Sequence, residues 1–195
     1  MGWFCYDATH YDRHGKVDRK AEMDRLYNWE DETKTVKVLK SALYGATYYA
    51  AVEVTEKETG KRYVTAAVDL TSSGDGWYNF GYKAMGETMG PYQYDCPKGI
   101  LDLLTPTENE YALQWRERCR ANLKRKSALK KAEFVEVKFP YDLTWSDGFT
   151  VKAGEPVTLE RRRYNNRACW CIPGTNKVVK RTSFRNGEIL EIERL

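Results

Sequence analysis

Covalent or acid–base chemistry would begin at cysteine, histidine and carboxylate side chains, and in this chain of 195 residues they are scattered. Cys96 stands between Asp95 and Pro97; as a nucleophile it would need a neighbouring base or cation to generate its thiolate. The two histidines, His10 and His14, are the only imidazoles that the fold could bring to it. Glu87 and Asp95 offer a carboxylate pair, yet 28 acidic residues supply such pairs by composition alone. No catalytic residue is assigned on this basis, and the expectation is a protein that is not an enzyme. Metal binding fares no better. The five cysteines, Cys5, Cys96, Cys119, Cys169 and Cys171, lack a CxxC spacing, and a strand at Cys169-Trp170-Cys171 is expected to send its two thiols to opposite faces. Neither a metal nor a cofactor is expected.

Binding chemistry is more visible. Between Asn109 and Ala132 the cations Arg116, Arg118, Arg120, Lys124, Arg125, Lys126, Lys130 and Lys131 form a dense basic run with Glu117 as its acidic exception. A second set, Arg161, Arg162, Arg163, Lys180 and Arg181, lies among Tyr164, Trp170 and Phe184. Phosphate binding needs cations at this density, and flat side chains beside them offer stacking surfaces. Both sets also have a plain structural reading. Cations near a helix C-terminus complement its dipole, and period-two strands need a polar face. Trp77, Tyr82 and Tyr92, in a stretch from Ser72 to Pro97 rich in glycine and aromatics, are candidates for stacking on bases or for packing on the sheet.

Two kinds of element must position these groups. Asp18 can cap a helix over Arg19–Trp29, with Met23, Leu26 and Tyr27 on one face. Thr35–Thr55 and Arg62–Thr71 are rich in Val, Thr and Tyr and predict a hairpin turning near Gly60, its long first arm broken near Gly45. The basic run is itself a helix: Ala112, Trp115, Cys119 and Leu123 make an apolar stripe, and Thr107 with Glu110 has capping-box spacing. From Phe134 onward short alternating segments are punctuated by Asp147-Gly148, Ala153-Gly154, Pro173-Gly174 and Asn186-Gly187. The expected architecture is α+β. Residues 1–132 form an N-terminal antiparallel sheet with two helices, and residues 133–195 form a small all-β, barrel-like domain.

Composition bounds the function classes. Aromatic residues reach 13%, too many for a chain that is mainly disordered. The net charge of +4 permits polyanion binding without making it the default. Gly45 and Thr47 interrupt the most apolar stretch, Ala42–Val52, so no membrane helix is expected. An odd set of cysteines and the absence of a leader-like N-terminal pattern predict a reducing, cytoplasmic setting.

Several blocks carry a resemblance. Met1-Gly2-Trp3, Ala8-Thr9-His10, the run Gly15-Lys16-Val17-Asp18-Arg19-Lys20, Gly81 through Tyr92, and Asp95-Cys96-Pro97 resemble an uncharacterised domain family carried by bacterial plasmids, phages and integrative elements. The likeness covers about residues 1–130. It implies a small protein of the mobile gene pool that antagonises host defence, as anti-CRISPR proteins do, by binding a Cas9-type nuclease, its ribonucleoprotein or its nucleic acid. A stand-alone accessory protein that binds DNA or RNA is the other expectation.

Overall fold

The computed structural model describes residues 2–74, 78–164, 167–179, 184–185 and 187–193. Among these residues the fold is α+β, with antiparallel sheets and three α-helices, and the chain divides into two compact units, Met1–Leu123 and Lys124–Leu195.

In the first unit six strands form one sheet in the order β1-β6-β5-β4-β3-β2. They are β1 (Phe4–Tyr6), β2 (Trp29–Glu30), β3 (Lys34–Tyr44), β4 (Thr47–Glu56), β5 (Arg62–Ser73) and β6 (Phe80–Lys83). The long arm does break at Gly45. There φ is +60°, a conformation cheap only for glycine, and Tyr44 pairs with Thr47 across the turn. Strand β4 shows why the sequence around it is apolar without interruption: Tyr48, Tyr49, Ala50, Ala51 and Val52 are all buried. Alternation sends Tyr48, Ala50 and Val52 to one core with Met23 and Phe80, and Tyr49 and Ala51 to another with Cys96, Ile100, Trp115 and Cys119.

Helices cover both faces. On the first, α1 (Arg19–Leu26) is capped by Asp18, whose side chain accepts from the Ala21 N–H at 3.0 Å. The expected helix runs on to Trp29, but Tyr27 caps it and Trp29 pairs instead with Val36 as part of β2. On the second face lie α2 (Lys98–Leu101) and α3 (Glu110–Leu129), with Ala112, Trp115 and Cys119 buried. The Asn109 side chain, not that of Thr107, accepts from the Ala112 N–H at 3.0 Å, while Thr107 accepts from the N–H of Asn109. The helix is therefore capped by the Asn109 side chain, two residues closer to the helix than the Thr107/Glu110 spacing predicted.

The second unit holds a four-stranded sheet in the order β11-β10-β7-β12 and a two-stranded one, β8-β9. The elements are β7 (Phe134–Lys138), β8 (Leu143–Thr144), β9 (Thr150–Val151), β10 (Pro156–Tyr164), β11 (Arg167–Cys171) and β12 (Ile189–Glu193). Period-two burial at Val135 and Val137 meets Leu159 and Trp170 in a core completed by Phe139, Val151 and Ile172. No described helix in either unit is long and apolar enough to cross a membrane.

Candidate polyanion-binding cleft

The C-terminal end of α3 and the end of β10 meet within the second unit. The Arg161 backbone N–H donates to the Glu133 carbonyl at 2.7 Å. Its guanidinium donates to the carbonyls of Leu129 and Lys130, which the end of the helix leaves without intrahelical partners. A cation there also complements the negative end of the helix dipole. Strand alternation turns Arg162 the other way, where its Nη2 and Nε donate to Glu160 Oε2 at 2.7 and 3.0 Å and its Nη1 to the Thr175 carbonyl at 3.0 Å. Arg163 is exposed, and its register partner on β11 is Ala168, whose methyl group leaves room beside it. Lys130, Arg161, Arg162, Arg163 and Ala168 line a cleft of about 500 Å³. Four of the five lining residues are cationic and none is acidic. Lys130 and Arg163 have side chains that make no hydrogen bond or ion pair with the described residues, so their charge is available to a ligand.

Other parts of the basic run go elsewhere. Arg116 is buried and bound to Glu87, so it belongs to the core of the first unit and not to an exposed basic face. Arg118 lies over the Tyr94 ring at 5.4 Å and donates to its hydroxyl at 2.6 Å. Arg120, Lys124, Lys126 and Lys131 are exposed, and Arg125 is half-buried. Lys180 and Arg181 lie outside the described residues, as does Trp77. Tyr82 stacks on Phe4 at 5.3 Å and on Phe80 at 6.2 Å, packing on the sheet, whereas Tyr92 is 83% exposed. The glycine and aromatic stretch is thus divided between core and surface.

Residues 106–184 match the model of a domain of unknown function, DUF6927. No curated protein and no solved structure matches the chain. The matched segment takes in α3, strands β7 to β11 and every residue lining the cleft.

The candidates for covalent and acid–base chemistry are held apart. Cys96 is fully buried against Trp115 and Cys119 on the α3 side of the first unit's sheet, and burial pushes its thiol well above the ordinary range. His10 lies in the loop before α1, on the other side of the sheet, where its Nδ1 is 3.0 Å from Glu22 Oε1 of that helix. Glu87 is engaged by Arg116, and Asp95 Oδ1 accepts from Asn122 Nδ2 at 2.6 Å. Among the described residues no group of three His, Cys, Asp or Glu side chains is arranged to hold a metal ion.

Two further arrangements emerge from the fold, the first without any signal in the sequence and the second signalled by a Cys-x-Cys spacing on a strand. Glu22 is fully buried and accepts from the backbone N–H groups of Thr9 and His10, from Thr9 Oγ1, from Tyr6 OH and from Arg25. Cys169 and Cys171 lie on the same face of β11, with their sulfurs 3.7 Å apart. The expectation of opposite faces is corrected by the period of a strand, which returns to the same face every second residue.

Proposed function

We propose that this chain binds nucleic acid through the cleft at the end of α3 and β10, engaging the phosphate backbone without base-specific readout. The observation that carries this is the lining itself: no carboxylate, three cations that Glu160 does not neutralise, Lys130, Arg161 and Arg163, and among these two side chains, Lys130 and Arg163, with no competing partner among the described residues. Phosphate contact requires such uncommitted cations, because a charge already neutralised within the protein releases few counterions on binding. The exposed Lys124 and Lys126 on the neighbouring end of α3, and Lys131 in the turn that follows it, extend the positive field. We read the C-terminal strands as a small, barrel-like β platform for this surface.

The role is non-enzymatic. The likeness of residues 1–130 to a family of bacterial mobile elements supports a setting in host-defence antagonism, in which the chain occupies nucleic acid needed by a Cas9-type ribonucleoprotein or another nuclease. The deciding experiment is a fluorescence-anisotropy titration of labelled single- and double-stranded DNA and RNA at low and physiological salt. Engagement of about four phosphates predicts affinity falling roughly 50- to 150-fold between 50 and 200 mM salt. Absence of binding at low salt, or affinity indifferent to salt, overturns the reading.

A further inference from the structure

We propose that Cys169 and Cys171 form a dithiol site for a neutral trivalent arsenical, of the class R–As(OH)2. The two sulfurs stand 3.7 Å apart on one face of β11. Trivalent arsenic bonded to two thiols needs a sulfur–sulfur span of this order, and two protein ligands complete the metalloid's bonding when its third substituent is its own. Cys171 is buried and Cys169 half-buried, so approach is from the Cys169 side.

The surroundings select a neutral centre over a divalent cation. Arg162 is the register partner of Cys169 across β10 and β11, and its guanidinium is fixed there by Glu160 and the Thr175 carbonyl. Arg162 and Glu160 offset one another there, so no net negative charge draws in a divalent cation. It would also have to displace protons from thiols in a partly desolvated place, where burial pushes Cys171 up to about 11. It would find no third His, Cys, Asp or Glu ligand among the described residues. An arsenical carries its own leaving groups. Each thiol proton leaves with a hydroxyl of the reagent, two As–O bonds and two S–H bonds break, two As–S bonds form, and two water molecules are released. No sulfur is oxidised and no arsenic is reduced.

The test uses the full-length reduced chain and hydrated phenylarsine oxide, PhAs(OH)2. Expected are a single adduct by intact mass, loss of two of the five titratable thiols measured after unfolding, and reversal by a small dithiol but not by a monothiol. Cys169→Ser and Cys171→Ser, each checked for native circular dichroism, should abolish the adduct, and Cys5→Ser should retain it. Adduct formation in folded Cys169→Ser or Cys171→Ser overturns the assignment by pointing to Cys96 and Cys119, and absence of any adduct on the native chain overturns it outright.

Discussion

Arg116 and Glu87 form a bidentate, buried ion pair, with Nε 2.6 Å from Oε2 and Nη2 2.7 Å from Oε1. The remaining donors and acceptors are also used. Arg116 Nη1 donates to the Thr105 carbonyl at 2.7 Å, while Glu87 Oε1 accepts from Thr65 Oγ1 and the Ala66 N–H. The pair thereby ties α3 to β5 and to the 3-10 turn Glu87–Met89. Removing one partner leaves an uncompensated charge in the interior, so Glu87→Ala or Arg116→Ala should each cost about 3–5 kcal/mol in urea denaturation. The double variant should cost less than the sum, because the second substitution removes the charge stranded by the first. Additive losses would show that the two side chains stabilise the unit independently.

Glu22 sets an acid limit on the first unit. Burial by itself would raise its pKa, but hydrogen bonds from the His10 side chain, from the backbone N–H groups of Thr9 and His10 and from the Thr9 hydroxyl outweigh that effect and hold the carboxyl at about 2. A folded pKa below the unfolded one contributes stability that is present above the unfolded value and is lost as pH falls towards the folded one. The loss should run from about pH 5 to pH 2 and amount to about 3 kcal/mol. Glu22→Gln should remove most of this slope and lower stability at neutral pH, as read by chemical denaturation across that range.

Asp69 should act in the opposite sense. Burial raises its carboxyl to about 6, against the lowering effect of the Tyr27 hydroxyl at 2.6 Å and the Met85 N–H at 2.7 Å. Here the folded pKa lies above the unfolded one, so ionising the buried group takes stability away as pH rises from about 4 through 6. Asp69→Asn keeps an acceptor for the Met85 N–H and removes the charge. It should stabilise the protein by about 2 kcal/mol at pH 8 and leave it nearly unchanged at pH 4. Destabilisation at both pH values would show that the ionised carboxylate is what the site requires.

These opposed carboxylates illustrate what the sequence made legible and what it did not. Local chemistry was readable: Asp18 before an amphipathic run, a glycine at the break of a long Val- and Thr-rich arm, and the stripe Ala112-Trp115-Cys119 all formed as their spacing implies. Long-range partnership was not. Arg116 sits in a run of cations and reads as one of a solvated set, yet one helical step from Trp115 brings it to a carboxylate 29 positions away. Glu22 likewise looks like an ordinary first-turn acid until the loop Thr9-His10 folds over it. The cleft was half legible, because the clustering of Arg161, Arg162 and Arg163 was plain while their division between helix carbonyls, Glu160 and solvent depends on tertiary contacts.

That division predicts unequal contributions to nucleic-acid binding. Lys130 and Arg163 have charges unopposed by described residues, so each should contribute nearly a full phosphate contact. Lys130→Ala and Arg163→Ala should each reduce the slope of log affinity against log salt by about 0.7–0.9, with little change in stability. Arg161 already serves the helix terminus, and Arg161→Ala should destabilise the second unit by about 1 kcal/mol as well as weaken binding. Arg162 is neutralised in part by Glu160, so Arg162→Ala should change the slope by less than either exposed cation does. Arg118, held on Tyr94 in the first unit, is the control whose replacement should leave the slope unchanged. Equal slope changes for Arg118→Ala and Arg163→Ala would mean that a diffuse positive field, and not the cleft, holds the ligand.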